Sequence, residues 1–363
     1  ASPAAAQAAR PPKPVAPTKP PVASTPQQDE KIRAGVELHD KKQYDEAIAK
    51  YQEVLKENAD NVEAIYELSY SLMEKKDFAK SIETARRGTQ YTGDMLPMFY
   101  DMIATNYEEQ GQVPQAVQTY KDALSIDPSA GLIYYNLAMT QREKLKDPAA
   151  ARQTLKDGAV AAPDFPGVPV LLGQWFEMDG YRSQAFLSLS RALVLDNSVQ
   201  IYALWRRVLK GPENPMAADV MQDPDMRRSS AQSMKAPAAK LDEGDFVATD
   251  ARFAPSYAAF LDATDGDTSE IEALVAQVGV IIDALTVQPT DPKKPAFVSQ
   301  QYVPFFAALK QKNYVEPFVY WACARAPVQG VREWLKAHDA QVKEFRKWAA
   351  EYKFPTPKAA GKK

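Results

Sequence analysis

Residues 100–128, YDMIATNYEEQGQVPQAVQTYKDALSIDP, decide the fold. Tyr100, Ile103, Ala104 and Tyr107 recur at three- and four-residue spacing, so a helix through them has one buried stripe. Ala116, Tyr120 and Ala123 do the same on a second helix. Asp127-Pro128 closes the unit, because proline cannot continue a helix. The small residues Ala104 and Ala116 let the two helices approach closely, and a neighbouring aromatic fills the space beside them.

The pattern returns along the chain. Small residues stand at Ala47, Ser81, Ala116, Ala151 and Ala185, spaced 34, 35, 35 and 34 residues apart. Twelve or thirteen residues before each stands another: Gly35, Ser69, Ala104, Ala138 and Gly173. The first copy carries Leu38, Tyr44, Tyr51 and Leu55 around them, and the fourth carries Tyr134, Leu137, Leu155 and Pro163. This register resembles the tetratricopeptide repeat, a helix A–turn–helix B unit of about 34 residues. The resemblance covers residues 28–198 and implies an all-α, right-handed solenoid of about five helical hairpins. Val199–Lys210, with Ile201, Leu204, Trp205, Val208 and Leu209 on one face, reads as the capping helix that a solenoid needs. Three departures stand out. Gln141 occupies a slot for a large apolar residue, Pro169 lies near the start of the fifth helix A, and Ala85 and Gly88 make the second helix B thin. The second repeat is therefore expected to be the least well packed.

Outside the repeats the chain divides by composition. Residues 1–27 hold eight prolines and no acidic residue, which reads as a disordered, polyproline-like tether. It is consistent with a spacer after a removed signal peptide, hence a periplasmic or secreted protein, with a cytoplasmic one as the alternative. Residues 211–251 read as a linker whose Met216, Met221, Met226 and Met234 pin it onto a helical surface. Residues 252–355 read as a C-terminal all-α module of no recognised family, and 356–363 as a basic flexible tail. Within the module, Thr268–Leu285 carries an apolar stripe with Asp267-x-x-Glu270 as its capping box. A final helix opens at Pro327 and runs through Trp334, His338, Phe345 and Trp348.

Composition excludes several functions. The 44 Lys and Arg against 47 Asp and Glu leave a net charge of −3, which argues against a nucleic-acid partner. Two histidines and one cysteine leave no Cys/His zinc site and no disulfide framework. No apolar run is long enough to span a membrane. There is no phosphate loop, nucleophile elbow or zinc-protease motif, so no catalytic, cofactor or metal residue is assigned. His338 reads as a core or boundary residue, His39 as surface, and Cys323 as a buried thiol. Oligomeric state is not legible.

In the tetratricopeptide family helix A lines a concave groove, and the resemblance places this chain's groove by register. The second repeat contributes Glu63, Tyr66, Glu67, Tyr70, Met73 and Glu74. The third contributes Met98, Asp101 and Glu108, beside Thr105 and Glu109. The fourth contributes Tyr135, Asn136, Met139 and Arg142, beside Leu132 and Glu143. Tyrosine and methionine offer large, adaptable contact area, and the border is acidic. Family members that clamp a terminal carboxylate use a Lys/Asn/Arg set where this chain has Ile32, Val36, Glu67, Met98 and Met102, so that clamp is absent. The leading expectation is a non-enzymatic scaffold or adaptor that binds a protein or peptide segment in this groove. One alternative is an enzyme with a catalytic C-terminal module near Asp262, Asp265 and Glu316. Another is a structural subunit of a larger assembly.

Overall fold

The computed structural model describes residues 14–210, 246, 250, 269–286 and 296–355. They fall into two compact units, 1–162 and 163–363.

The first unit is a run of four helical hairpins. They pair α1 (Pro26–Asp40) with α2 (Tyr44–Glu57), α3 (Val62–Glu74) with α4 (Phe78–Gly88), α5 (Leu96–Glu109) with α6 (Val113–Ile126), and α7 (Gly131–Glu143) with α8 (Pro148–Ala161). Within the unit, successive hairpins pack on one another through α2 and α3, α4 and α5, and α6 and α7. Every small residue of the register in this unit is buried. A Cβ at Gly35 would collide with the Tyr51 ring. The Ser69 and Ser81 hydroxyls cross-bond, each donating to the other's backbone carbonyl at 2.9 and 2.7 Å. The A–B turns share one device, a residue in the left-handed region: Lys42 (φ 61°), Lys76 (φ 67°), Gly111 (φ 71°) and Lys146 (φ 56°). At Lys42 its N–H donates back to His39 O and the next N–H to Leu38 O, and Lys76 and Gly111 repeat that pattern.

Two departures of the sequence resolve into packing. The second hairpin is not loosely packed. The missing Cβ of Gly88 makes room for the Phe99 ring, and Ala85, Phe99, Tyr91, Met102 and Ile103 share one core cluster. Gln141 is buried because Thr154 Oγ1 donates to its Oε1 at 2.7 Å, which lets a polar pair fill an apolar slot.

The expected tether also differs where it is described. Thr18 and Lys19 N–H both donate to Gln90 O at 3.0 Å, and Thr92 N–H donates to Lys19 O at 2.8 Å. Asn61 Nδ2 donates to Ser24 Oγ at 2.6 Å. Thr25 then caps α1, which begins at Pro26. Proline content excludes a core but not an extended segment whose remaining N–H groups find acceptors. Residues 1–13 lie outside the described set.

The second unit opens with the fifth hairpin, α9 (Gly167–Met178) and α10 (Arg182–Leu195), then α11 (Val199–Lys210). Pro169 sits in the first turn of α9, where its missing N–H costs nothing. Ala185 and Gly173 meet as the register requires, a Cβ on Gly173 lying 2.7 Å from Leu189. The unit continues through α12 (Glu270–Thr286), α13 (Phe297–Gln301), α14 (Val303–Gln311), α15 (Val315–Ala322), α16 (Val331–Ala337) and α17 (Asp339–Glu351). Helix α10 packs against α9, α11, α13 and α15, so the fifth hairpin shares its core with C-terminal helices. Division by contacts thus falls after residue 162, whereas composition placed it after 210.

Side-chain bonds tie this core. Trp205 Nε1 donates to Ser190 Oγ at 2.8 Å. Arg182 donates to the carbonyls of Val208 and Leu209, both at 2.8 Å, which satisfies the orphan acceptors at the end of α11. Asn197 Nδ2 donates to Trp321 O and Trp321 Nε1 to Leu193 O. Arg191 is buried against the stacked Phe305 and Phe354 rings and donates to Pro163 O at 2.9 Å. Within the span expected to be linker, Phe246 is buried and Asp250 accepts from Ser183 N–H and Oγ. The other linker residues, including the four methionines, and the tail 356–363 lie outside the described residues.

Helix α12 is capped by Ser269 and Glu272, which exchange hydrogen bonds; the expected capping box was Asp267 with Glu270. Asp267 itself is outside the described residues. The expected single final helix is two, because His338 (φ −115°, ψ 26°) interrupts it. Gly330 at φ 78° starts the first piece. His338 is exposed and stacks on Trp334, which stacks on Tyr320. Between α14 and α15, Asn313 (φ 59°) repeats the turn of the repeats: its N–H bonds Lys310 O, and Tyr314 N–H bonds Leu309 O.

Candidate functional site

All the groove residues expected from the register lie in the first unit, on helices α3, α5 and α7. Among them, Glu63 and Glu74 are exposed, and Tyr66, Glu67, Tyr70, Met73, Met98, Asp101, Glu108, Tyr135, Asn136, Met139 and Arg142 are half-buried. The α3 tyrosines are partly engaged in packing. Tyr66 meets Phe99 edge-on at 5.9 Å. Tyr70 stacks on His39 at 4.6 Å, and His39 Nδ1 lies 2.7 Å from Ser71 Oγ. His39 is thus not a bare surface residue. It extends the aromatic wall of α3 toward Tyr44, whose ring is 5.3 Å away.

Six of the expected residues converge on an open cleft of about 270 Å³ between α5 and α7: Asp101, Thr105, Glu108, Asn136, Met139 and Glu143. Tyr120, Thr140 and Lys144 complete its lining. Residues 101, 105 and 108 share one face of α5, and 136, 139 and 140 one face of α7, because helical neighbours are three and four apart. Tyr120 OH and Asn136 Nδ2 both donate to Asp101 Oδ1, at 3.1 and 2.6 Å. Thr140 Oγ1 donates to Glu108 Oε1. Sequence reasoning assigned Tyr120 to packing and passed over Thr140 and Lys144. Thr140 was legible as the residue one turn beyond Asn136.

The carboxylates here are desolvated. Burial raises Asp101 above its usual range, and the Asn136 and Tyr120 bonds only partly offset it. Burial likewise raises Glu108, against the Thr140 bond and the Lys144 charge. On α3, burial raises Glu67, aided by the charges of Glu63 and Asp40. Tyr66 is pushed up to about 12, by burial first and then by Asp101. Chemically the cleft is an acceptor-rich, partly dry recess with oriented carboxylates. Such a recess suits a cationic donor better than an anion or an apolar group.

Elsewhere, Cys323 is buried and its thiol is pushed up to about 12, by burial above all. It is therefore a poor nucleophile. Among the described residues no three His, Cys, Asp or Glu side chains are placed to share a metal ion. Among the same residues no helix is long and apolar enough to cross a membrane. Of the carboxylates considered for catalysis, Glu316 is exposed on α15, and Asp262 and Asp265 lie outside the described residues.

A tetratricopeptide-repeat family model matches residues 38–100, and a TPR-repeat model matches 106–142. This stretch is a run of tetratricopeptide repeats. The chain is similar to several solved structures. TTC0263, a thermophilic TPR protein of Thermus thermophilus, is 20% identical, with 50% of this chain and 98% of that one covered and a TM-score of 0.38. A Pseudomonas aeruginosa pilF structure is 16% identical, covering 59% and 92%, with a TM-score of 0.36. The TPR2AB-domain:pHSP90 complex of yeast Sti1 is 14% identical, covering 64% and 98%, with a TM-score of 0.30. A search of the curated proteins finds no match. Tetratricopeptide repeats in general build protein-interaction scaffolds and bind protein or peptide partners.

Proposed function

We propose that the protein is an adaptor whose groove, on α3, α5 and α7, binds an extended protein segment that offers a basic side chain next to apolar ones. The observation that carries this reading is the cleft at Asp101. A carboxylate raised by burial is kept there, with Tyr120 and Asn136 both donating to one of its oxygens. Such an arrangement costs stability when unoccupied and is recovered when a cation enters. Tyr66, Tyr70, Met73, Tyr135 and Met139 supply the apolar contact, and Glu63, Glu67 and Glu74 the acidic border.

Selection of random displayed peptides on the full chain tests this. The enriched peptides should carry a Lys or Arg flanked by apolar residues. Asp101→Asn with Glu108→Gln should weaken them about tenfold or more, since charge-paired contacts that lose a partner cost about 2 kcal/mol or more. Tyr70→Ala with Tyr135→Ala should weaken them further. Enrichment without basic residues, or unchanged binding by the Asn/Gln variant, would overturn the reading. Basic-segment affinity should also fall on acidification, starting above the usual carboxylate range because Asp101 and Glu108 are raised.

A further inference from the structure

The extended segment before α1 lies across two inter-repeat turns in a way that defines a second recognition surface. Its receptor is the α2–α3 turn, with Asp60 and Asn61, and the segment after α4, with Gln90, Tyr91 and Thr92. The segment pairs in parallel with Tyr91 through Lys19. Gln90 O takes both the Thr18 and Lys19 N–H, Thr92 N–H bonds Lys19 O, and Val22 N–H bonds Asp60 O at 3.4 Å. The Lys19 ammonium stands 5.8 Å above the Tyr91 ring, whose hydroxyl donates to Asp60. The prolines fit this use of donors. Pro17 precedes Thr18, and Pro20 and Pro21 fall between Lys19 and Val22, so the donors are drawn from the residues that have an N–H.

Tyr91 is buried and belongs to the core cluster with Phe99 and Met102, and Asn61 caps α3. The receptor is therefore fixed by the repeats. The segment contributes little burial of its own, as Val15 is 76% and Val22 49% exposed. Backbone bonds, side-chain bonds from Asn61 to Ser24 Oγ and from Thr92 Oγ1 to Lys19 O, and one cation–π contact hold it, on a chain that its prolines already extend. Attachment in cis supplies the remaining affinity through high effective concentration.

We propose that this loop edge is a docking site for extended lysine–proline segments of the Thr-Lys-Pro-Pro-Val kind. Residues 17–24 occupy it in cis, and a partner's segment of the same chemistry competes for it. The site is separate from the groove, which involves none of these receptor residues.

The test uses the full chain. Thr18→Pro with Lys19→Pro removes two donors from the cis segment and leaves the receptor intact. A fluorescent peptide of residues 14–25, PVAPTKPPVAST, is then titrated by anisotropy. The variant should bind it saturably and at least about tenfold more tightly than the wild type, in line with the avidity of a tethered competitor. A peptide carrying the same two prolines should not bind. Both chains carry Asp101→Asn with Glu108→Gln throughout, so that the groove does not take the lysine of the peptide. Absence of binding to the variant, or equal binding to variant and wild type, would each overturn the proposal. Should the double variant lose its helical spectrum, Lys19→Pro alone carries the same comparison.

Discussion

Helices α6 and α10 hold the same place in their hairpins, with Ala116 aligned on Ala185, yet they are finished differently. The outer face of α6 is polar: Lys121 is exposed, and Gln118 bonds Asp122 one turn on. The aligned residues of α10 are Ser190, Leu187 and Arg191, and all three are buried. Indeed every residue of α10 from Ser183 to Leu193 is buried. The repeat register dictates the inner face of a hairpin and says nothing about the outer one. In α10 the outer face is taken by α13 and α15, so a repeat-like hairpin has become the centre of a different core.

The difference has measurable edges, helped by the placement of all five tryptophans, Trp175, Trp205, Trp321, Trp334 and Trp348, after residue 162. Tryptophan fluorescence therefore follows the second unit, whereas circular dichroism follows both. The largest effect is expected at Leu187. Leu187→Ala should cost about 2–5 kcal/mol in the fluorescence-detected unfolding, as truncation of a buried leucine does. Gln118→Ala should change the dichroism transition by less than about 0.5 kcal/mol. Equal effects would erase the contrast between the two helices. Next comes Ala116→Phe, which overpacks the crossing on Ala104 and should cost about 1–3 kcal/mol. It should shift the dichroism transition while the tryptophan transition stays in place, and a shift in fluorescence would show the units to be cooperative.

The smallest effect concerns Asp101 and is read against pH. Its folded-state pKa is raised by burial. The folded chain thus holds this proton more tightly than the unfolded chain does. The stability it contributes is complete below the unfolded value and is lost as pH rises through the raised one. Asp101→Asn keeps an oxygen acceptor and never ionises. It should raise the melting temperature slightly at neutral pH and match wild type below about pH 3.5. A lower melting temperature at neutral pH would mean that the carboxylate is held for the fold and not for a ligand.

The repeats were legible because their signal is steric and local. Gly35, Ser69, Ala104 and their partners must be small wherever two helices cross, and each crossing is made within about 34 residues. What the sequence hid depends on distant neighbours. Gly88 looked like a weakness until Phe99 filled it. The Asp101 cleft needed Tyr120 and Asn136 from two other helices. The turn between α14 and α15 has the same geometry without the same packing: Phe306 and Phe318 lie 5.9 Å apart, at the offsets from Asn313 that Gly35 and Ala47 keep from Lys42, yet both helices pack chiefly on α12. No pair of small residues is needed there, so only Asn313, in place of lysine or glycine, marks the turn. Of the groove, the faces of α3, α5 and α7 could be read, but not which of their side chains were already engaged with His39 and Phe99.

One contact in the second unit bears on how the chain can come apart. Arg191 bonds the carbonyl of Pro163 and lies against the ring of Phe354, so one guanidinium holds the first residue of that unit and nearly the last described one. A row of stacked hairpins has a terminal hairpin that can peel away by itself. A unit clasped from Pro163 to Phe354 is not free to open at either of those points alone. The two should yield together, and the chain between them is of the kind that can be cut open elsewhere and rejoined across the clasp with the core preserved.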